Sequence, residues 1–332
     1  MPSMIVINDE KTDERFGFWP ESRPVEVLLQ YGVIPLDKPR GPSSHEVVSW
    51  VRKMLGIEKA GHSGTLDPPV SGMLPVGLGR ATKALGILLS YPKEYYAVMR
   101  IHSSVPSERV RDVLQEFTGE IYQRPPQRSS VKRETRTRTV YELEVIEQKG
   151  NLYLLRCLCQ AGTYVRKLIY DMGEVLGVGA SMVELRRTRV GPLNEREKIV
   201  TLHQLYYANS RLKSGSEQEI RDAVLPVEKT LGDIKKVVIR DSAVDSICHG
   251  AKLAVPGIVS LSSDIEQGER VAIVTAKGEL VALGKALFSA SVIEGMKKGI
   301  VFTTDRVIML PGTYPPMWKK ERANIAASEG SP

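Results

Sequence analysis

Residues 60–80 place the strongest constraint on the fold, because they are rich in glycine and proline and also in leucine, valine and methionine. A flexible linker would not carry so many apolar side chains, so we expect a structured loop pinned to a hydrophobic core. One carboxylate, Asp67, stands in this loop between Leu66 and Pro68. The pattern predicts a fixed carboxylate in an apolar setting; the alternative is an aspartate that only caps a turn.

The length and composition indicate a globular protein with two domains. A chain of 332 residues is too long for one compact core, and 42% hydrophobic with 26% charged residues is typical of folded domains. No apolar run approaches the ~20 residues that a membrane span needs, and the first residues lack the apolar stretch of a secretory signal. We therefore expect a cytoplasmic protein that does not enter the membrane.

The cysteines and histidines argue against a metal centre. Three cysteines are too few for a disulfide framework or a four-cysteine zinc site. Cys157 and Cys159 are one residue apart on a predicted strand, and we expect their side chains to point to opposite faces. No histidine, cysteine and acidic set has metal spacing, and residues 77–84 lack the ending of a phosphate loop. Neither a metal nor a nucleotide cofactor is therefore expected.

Basic residues exceed acidic ones by 46 to 39, and they are clustered. Residues 122–140 contain six bases and one acid. Two shorter clusters are Arg186, Arg187 and Arg189, and Lys319, Lys320 and Arg322. Each cluster alone fits a solvated face. Three clusters in one chain favour a phosphate-binding surface.

Local patterns predict helices and strands on both sides of the Asp67 loop. Ser43 and Glu46 form a capping box at the start of a helix. Further predicted elements are a short helix at 82–90, a hairpin of 141–146 and 152–159, a helix at 164–176, a strand at 185–190, and a helix from 201 that runs into a surface loop at 209–219. After residue 231, turn residues recur between short apolar strands, which predicts a small β-rich domain beginning near residue 235.

Two further residues are candidates for a site with Asp67. Arg166 follows the Gly-Thr-Tyr run at 162–164, and a buried arginine opposite a lone aspartate would hold that carboxylate in place. The alternative is an exposed arginine beside Asp171. Tyr95 stands at a strand start, where its ring can stack on a base. The alternative is a half-buried strand aromatic.

Five motifs in a fixed order carry a resemblance to a known family. They are Lys38-Pro-x-Gly-x-x-Ser, Gly-His-x-Gly-Thr-Leu-Asp67-Pro-x-x-x-Gly-x-Leu, Lys-x-Tyr95, Gly-Thr-Tyr-x-Arg166 and Leu185-Arg-Arg-Thr-Arg. This order resembles the TruB family of pseudouridine synthases, and the tail from 249 onward looks like a PUA RNA-binding domain. The basic segment 124–133 and the long N-terminal arm resemble the archaeal dyskerin branch. Leu193 stands where the family would have phenylalanine, which concerns local packing only.

The resemblance implies an α+β fold. Its catalytic domain would have a mixed, largely antiparallel sheet with flanking helices, and its PUA domain would be small and β-barrel-like. The implied domains are an N-terminal arm at 1–34 packed on the PUA domain, a catalytic domain at 35–235, the PUA domain at 236–316 and a basic tail at 317–332.

The resemblance also implies that the chain isomerises specific uridines to pseudouridine without a cofactor or metal. Asp67 would be the nucleophile, Arg166 its partner, Tyr95 a stacking platform and candidate base, and Leu185 the apolar floor. Whether Asp67 attacks the sugar or the base stays open. RNA contacts would come from His62 and Tyr164 beside the target nucleotide, from Arg124, Lys132, Arg133, Arg136 and Arg138 in a phosphate-binding loop, and from His249, Gly250, Ala251, Lys252, Leu253 and Gly257 in the PUA domain.

The implied partners are those of an H/ACA guide-RNA particle. They are a guide RNA, a substrate RNA, a small zinc-ribbon scaffold protein, a small β-barrel turnover protein and a kink-turn-binding protein. The target uridines would lie in rRNA, and also in tRNA. One alternative is a stand-alone synthase acting on the tRNA T-loop, which would use the same catalytic residues. Another is a non-catalytic RNA-binding scaffold, against which the set of Asp67, Tyr95 and Arg166 argues.

Overall fold

The computed structural model describes residues 3–124 and 134–316, and the chain divides into two compact units. One unit comprises Val33–Gly77 and Leu85–Leu225, and we call it the sheet unit. The other comprises Met1–Gly32, Leu78–Ala84 and Pro226–Pro332, and we call it the terminal unit. Two predicted RNA-binding residues, Lys132 and Arg133, and the last basic cluster lie outside the described residues.

Both strands and helices occur along the described residues. The strands are β1 (Met4–Val6), β2 (Gly32–Lys38), β3 (Ala60–His62), β4 (Ser71–Leu78), β5 (Lys93–Ile101), β6 (Gly119–Gln123), β7 (Arg136–Lys149), β8 (Leu152–Cys159), β9 (Ala180–Val190), β10 (Leu193–Asn194), β11 (Leu225–Pro226), β12 (Lys235–Ile239), β13 (Leu253–Ala254), β14 (Ile258–Ser262), β15 (Arg270–Thr275), β16 (Leu280–Ala286) and β17 (Ile300–Val307). The α-helices are α1 (Val25–Tyr31), α2 (Ser44–Leu55), α3 (Gly86–Ser90), α4 (Ser107–Glu116), α5 (Val165–Val175), α6 (Leu202–Lys213), α7 (Gln218–Ala223), α8 (Asp241–Cys248) and α9 (Ala290–Glu294). None of these helices has the length and apolar character needed to cross a membrane.

The sheet unit is built on one mixed sheet with the strand order β2-β4-β9-β5-β8-β7-β6. Strands β4 and β9 pair in parallel, and the other neighbours in this order pair antiparallel. The predicted mixed, largely antiparallel sheet is therefore confirmed. Gly72 permits the close approach of β4 to β9, because its φ is +103° and a Cβ there would lie 2.2 Å from the Arg187 backbone oxygen.

Two helices that the sequence predicts are present in this unit. At the start of α2, Ser43 accepts the backbone N–H of Glu46, and the Glu46 carboxylate accepts the backbone N–H of Ser43. The helix ends at Gly56 in the left-handed conformation. Helix α5 packs on β9 and β5 through one apolar face, formed by Val165, Leu168, Ile169 and Met172. The capping box and the apolar spacing therefore predicted both helices correctly.

The terminal unit holds a seven-stranded sheet with the order β1-β14-β12-β15-β16-β17-β13. Strand β1 comes from the N-terminal arm and pairs antiparallel with β14, with Ile5 opposite Leu261. Strands β12 and β15 pair in parallel. The core of the curled sheet includes Ile273, Val281 and Phe302, each fully buried. A small β-rich domain is therefore confirmed for this part of the chain.

A buried ion pair fixes the chain just before α1 within the terminal unit. Arg23 is 3% exposed, and its two terminal nitrogens donate to the Glu228 carboxylate at 2.8 Å each. The same carboxylate accepts the Leu280 backbone N–H at 2.8 Å. Nearby, burial raises the pKa of the Glu279 carboxyl, which accepts the Tyr314 hydroxyl at 2.8 Å. The N-terminal arm is thus held by polar groups that have little access to water.

Two predicted elements are wrong in their extent. Residues 82–90 do not form one helix, since a 3-10 turn at Gly79–Lys83 precedes α3, which begins at Gly86. Residues 209–219 do not form a surface loop, since α6 continues to Lys213 and α7 begins at Gln218. Asn209 is 7% exposed and donates to the Met54 carbonyl at 2.8 Å. This tertiary contact favours helix in a stretch whose polar composition predicted a loop.

The expectation for the cysteines is also wrong. Cys157 and Cys159 lie two positions apart on β8, and alternate residues of a strand share a face. Both thiols are free and 1% exposed. The hydrogen bond with Cys159, together with burial, raises the pKa of the Cys157 thiol. The two thiols therefore lie side by side in the interior of the sheet unit.

We expect Arg23→Met to lower the free energy of unfolding by about 3 kcal/mol, because it leaves the Glu228 carboxylate buried without its arginine. Urea unfolding followed by circular dichroism measures the change. Lys229→Met is the matched control, since Lys229 pairs with Glu21 at 2.8 Å and both side chains are more than half exposed. Such a pair contributes less than about 1 kcal/mol. Equal losses in the two variants would contradict the expectation.

Candidate active site

The Asp67 loop is fixed by contacts to the residues before and after the carboxylate. The Ser44 hydroxyl oxygen accepts the Leu66 backbone N–H and donates to the Leu66 carbonyl, each at 2.9 Å. The Gly41 backbone N–H donates to the Pro68 carbonyl at 2.8 Å. Because Ser44 is the first residue of α2, the capped helix determines where the loop lies.

Lys38, the last residue of β2, also fixes the Asp67 loop, through its side chain. Its side chain is fully buried, and Nζ donates to the carbonyls of Pro39, Pro68 and Val70 at 2.9, 3.2 and 2.9 Å. Burial lowers the pKa of Lys38, and the negative charge of Asp67 opposes that shift. Each N–H of the ammonium therefore has a carbonyl acceptor, and two of these acceptors follow closely after Asp67.

Asp67 forms an ion pair with Arg166, with 3.0 Å between Oδ2 and Nη2. The structure therefore brings together the two residues that the sequence nominated. The expectation of a buried arginine is wrong, since the two side chains are 59% and 53% exposed on the open side of a cleft. Asp171, the alternative partner of Arg166, pairs with Lys167 instead.

The start of α5 determines the direction of Arg166. The Gln123 side chain, at the end of β6, accepts the Tyr164 backbone N–H at 2.9 Å and donates to the Tyr164 carbonyl at 3.1 Å. Gln123 is 3% exposed. Strand β6 thus fixes the first turn of α5, which carries Arg166, and Tyr164 lines the cleft beside it. Sequence reasoning missed Gln123, because no local pattern connects it to residues forty positions away.

Tyr95 and Leu185 come from the paired strands β5 and β9, with Tyr95 opposite Arg187 and Leu185 opposite Ala97. Both side chains line the cleft with Asp67, and Leu185 is 8% exposed. Burial raises the pKa of the Tyr95 phenol, while the charge of Arg187 and a hydrogen bond from it act in the opposite direction. The phenol is therefore protonated at neutral pH. It is better suited to stacking on a base than to removing a proton from one.

Arg187 is a central residue of the site that sequence reasoning placed elsewhere. Its side chain is 2% exposed, with Nε donating to the Met73 carbonyl at 2.8 Å and Nη2 to the Gly64 carbonyl at 2.9 Å. Its positive charge opposes the rise in the pKa of the Tyr95 phenol. Arg187 lies two positions after Leu185 on β9, and this same-face spacing was the available signal. One guanidinium of β9 therefore connects β4 and the Asp67 loop.

Two of the three arginines at 186–189 bind groups of the protein and do not form an open phosphate-binding surface. Besides Arg187, Arg186 pairs with Asp37 at 2.9 Å and with Glu195 at 2.7 Å. Arg189 donates from Nε to the Gly191 carbonyl at 2.8 Å. Arg186 and Arg187 therefore bind groups of the sheet unit itself, whereas Arg189 is exposed and a phosphate contact there stays a prediction.

His62 lies at the end of β3, and its ring packs edge-on against that of His45 with 5.0 Å between the centroids. Its Nδ1 is buried and has no hydrogen-bond partner among the described residues. Burial, and after it the charges of His45 and Arg187, lower the pKa of His62. The ring is therefore largely neutral at pH 7.

Three of the predicted phosphate-binding residues lie in the part of the chain that the structure describes. Arg136 lines the cleft. Arg138 is half-buried, donates to the Thr137 carbonyl at 2.6 Å, and would lie 3.2 Å from a Cβ added at Gly162. Arg124 is exposed just after β6. Of these three, Arg136 is the one that the structure brings to Asp67.

Lys93, at the start of β5, is a second buried cation in the cleft. It is 6% exposed, and Nζ donates to the carbonyls of Leu88, Leu89 and Tyr91 at 2.8, 2.9 and 2.7 Å. Burial, assisted by the charge of Arg187, lowers the pKa of Lys93 to about 8.

Asp67, Tyr95, Arg166, Leu185 and Arg187 line one cleft of ≈ 900 Å³ in the sheet unit, a volume that suits a nucleotide. Among the residues that the structure describes, its charged lining consists of one carboxylate, Asp67, and four cations, Lys93, Arg136, Arg166 and Arg187. This excess of positive charge favours a phosphate-bearing ligand. Within residues 3–124 and 134–316, no group of three histidine, cysteine or acidic side chains is placed to hold a metal ion.

The predicted PUA contacts lie in the terminal unit. Four of them are exposed in and after the turn that ends α8, namely His249, Gly250, Ala251 and Lys252. Leu253 is 2% exposed and belongs to the core, so it can offer RNA only its backbone. A Cβ added at Gly257 would lie 3.1 Å from Ala243 and Leu253 side-chain atoms. Leu253 and Gly257 thus serve the packing of the unit.

Family models match nearly the whole chain. The TruB family pseudouridylate synthase N-terminal domain matches residues 52–165, the tRNA pseudouridylate synthase B C-terminal domain 166–232, the PUA domain 235–308 and the DKCLD domain 1–48. The probable tRNA pseudouridine synthase B of Pyrococcus abyssi is 51% identical over 95% of each chain. The chain belongs to the TruB family of pseudouridine synthases. The DKCLD and PUA matches place this synthase, an isomerase, in the archaeal dyskerin branch of that family.

Solved structures agree with that assignment. This synthase is 49% identical to a chain of a Cbf5-Nop10-Gar1 complex, with a TM-score of 0.90 over 95% of this chain and 96% of that one. It is 46% identical, with a TM-score of 0.89, to a chain of an H/ACA RNP bound to a substrate RNA containing 2′-deoxyuridine, over 96% and 98% of the two chains.

We expect the stability of this synthase to rise with pH above about 8 through Lys93. The pKa of Lys93 is about 8 in the folded chain and 10.5 for an exposed lysine. Between these values the unfolded state binds more protons, so rising pH favours the folded state. Urea unfolding at pH 8 and pH 9 should show the native chain gaining about 1 kcal/mol relative to Lys93→Met. If the free energy of unfolding depends on pH in the same way in the native chain and in Lys93→Met, the pKa of Lys93 is not lowered in the folded state.

Proposed function

We propose that this pseudouridine synthase is the catalytic subunit of an H/ACA guide-RNA particle and isomerises specific uridines in rRNA and tRNA. The observation that carries the proposal is its likeness, over 95–96% of its length, to chains of H/ACA particle structures. Those structures contain Nop10, Gar1 or substrate RNA. On this proposal the chain binds guide and substrate RNA, a small zinc-ribbon scaffold protein, a small β-barrel turnover protein and a kink-turn-binding protein.

A stand-alone tRNA synthase is the second candidate function. It is favoured by the relatives of Pyrococcus abyssi and Thermococcus kodakarensis, both 51% identical, which are named probable tRNA pseudouridine synthase B. The cleft is the same for both candidates, so only the requirement for a guide RNA separates them. A non-catalytic scaffold is disfavoured, because the Asp67–Arg166 pair lies in a cleft of nucleotide size.

Asp67 acts as the nucleophile in this proposal. Pseudouridine formation breaks the bond between the uracil N1 and the ribose C1′ and forms a bond from C5 to C1′; C5 loses a proton and N1 gains one. Arg166, whose Nη2 lies 3.0 Å from Asp67 Oδ2, orients the carboxylate. Lys38 and Ser44 fix the backbone of the Asp67 loop. Attack on the sugar and attack on the base are both open to this geometry.

The target base lies between Tyr95 and Leu185 in this proposal. A uridine inside a helix cannot reach Asp67, so it must be flipped out at a cost of a few kcal/mol. Stacking on the Tyr95 ring and contact with the buried Leu185 offset part of that cost. Arg136 meets the adjoining phosphates at the rim of the cleft, and His62 and Tyr164 contact the RNA beside the flipped nucleotide.

We also propose that the protein acts in the cytoplasm. Its three cysteines are free thiols, which suits a reducing compartment.

Single-turnover pseudouridine formation on a guide-matched RNA, with and without the guide, tests the proposal. We expect product only when guide RNA and the small partner proteins are present, because the guide presents the target uridine to the cleft. Efficient product on tRNA alone, with none on the guided RNA, would favour the second candidate. No product from any RNA with every component present would contradict both.

We expect Asp67→Asn to abolish product and to leave RNA binding unchanged within about twofold, because phosphate contacts dominate the affinity. The measurements are product formation in a single turnover and a filter-binding titration. Asp171→Asn is the matched control, since Asp171 is also an acid paired with a cation, Lys167, but lies outside the cleft lining. If Asp67→Asn keeps a tenth of the native rate, a loss of about 1.4 kcal/mol, Asp67 is not the nucleophile.

A further inference from the structure

Leu89 is an apolar side chain exposed inside the cleft, and the proposed mechanism gives it no role. It is 54% exposed and lines the cleft with Asp67, Tyr95 and Leu185. A single exposed leucine on an ordinary surface needs no explanation. Here the side chain shares a cavity with the proposed nucleophile and with the apolar floor, so a bound nucleotide would meet it.

Lys93 fixes the backbone that carries Leu89. Helix α3 has only five residues, and the last carbonyls of a helix lack partners within it. The Lys93 ammonium donates to the carbonyls of Leu88 and Leu89 and to that of Tyr91, which follows the helix. Because Lys93 lies two residues before Tyr95 on β5, one strand positions both the stacking ring and the leucine.

The burial of Lys93 is not explained by a salt bridge. In the part of the chain that the structure describes, its ammonium donates to backbone carbonyls and forms no ion pair with a carboxylate. The neighbouring charge, Arg187, is of the same sign. Burying an ammonium in this way costs free energy. The buried Lys93 ammonium therefore does not make the fold more stable. Its position is better explained by the need to hold the end of α3.

We propose that Leu89 contacts the flipped uridine as an apolar wall of the cleft, and that Lys93 is the positioning residue that sets this wall. The inference rests on the proposed function of the cleft. A flipped base has lost its stacking neighbours, and Leu89 replaces part of that contact beside Tyr95 and Leu185. Leu89 thus acts on the step after RNA binding, because the affinity itself comes mainly from phosphates.

Single-turnover pseudouridine formation by the assembled particle on a guide-matched RNA tests the role of Leu89. Leu89→Ala should lower the rate about tenfold and leave the Kd for the RNA within about twofold. Ile146→Ala is the matched control, since Ile146 is 48% exposed on β7 and does not line the cleft. A native rate in Leu89→Ala, or an equal loss in Ile146→Ala, overturns the inference.

A double-mutant cycle tests the role of Lys93. Lys93→Met should lower the rate about tenfold in the native chain and less than about twofold in Leu89→Ala, because the lysine acts through the leucine. Lys277→Met controls for the loss of a buried ammonium, since Lys277 is 3% exposed and donates to the Asp13 and Phe16 carbonyls of the terminal unit. If Lys93→Met lowers the rate by the same factor in the native chain and in Leu89→Ala, the positioning role of Lys93 is overturned. Should Lys93→Met fail to fold, Lys93→Gln takes its place with the same expected non-additivity.

The same assay separates this inference from the proposed function. A native chain that yields no product overturns the proposed function and the inference with it. Product that disappears in Asp67→Asn and persists at the native rate in Leu89→Ala overturns the inference alone.

Discussion

The buried guanidinium of Arg187 is the interaction on which the cleft depends. It donates to the Met73 carbonyl on β4 and to the Gly64 carbonyl of the Asp67 loop, and it lines the cleft together with Tyr95. A planar guanidinium holds its donors in fixed directions, so that one side chain serves acceptors on two different segments. The position of the Asp67 loop relative to β4 is therefore set by one side chain of β9.

The features that the sequence predicted correctly are those with local causes. The capping box at Ser43 and Glu46, the hairpin of β7 and β8 with its turn at Gly150, and helix α5 all follow from residues close in the chain. The pairing of Asp67 with Arg166 could also be nominated, because a lone carboxylate stands in a glycine-rich loop and the arginine follows a Gly-Thr-Tyr run at the start of a helix. Its exposure could not be predicted, since that depends on how far the cleft opens.

The features that were missed depend on strand register and on contacts between distant residues. Arg187 becomes buried only because β9 lies between β4 and β5, and a run of arginines alone suggests a surface. Asn209 stays helical because its amide meets the Met54 carbonyl. In the terminal unit, the family resemblance implied an N-terminal arm packed on the PUA domain, but no local pattern specifies the pairing of β1 with β14, which joins residues about 250 positions apart.

The ammonium–carbonyl contacts of Lys38 and Lys93 have a consequence for how this site can change in evolution. The acceptors are backbone carbonyls, which every amino acid supplies, so the anchoring of the Asp67 loop and of α3 constrains the two lysines and not the residues they hold. Val70 and Leu88 are still constrained by their burial in the core, but an exposed side chain such as Leu89 can be selected for what it touches in the RNA. Substrate preference can diverge along these segments while the shape of the cleft is inherited unchanged.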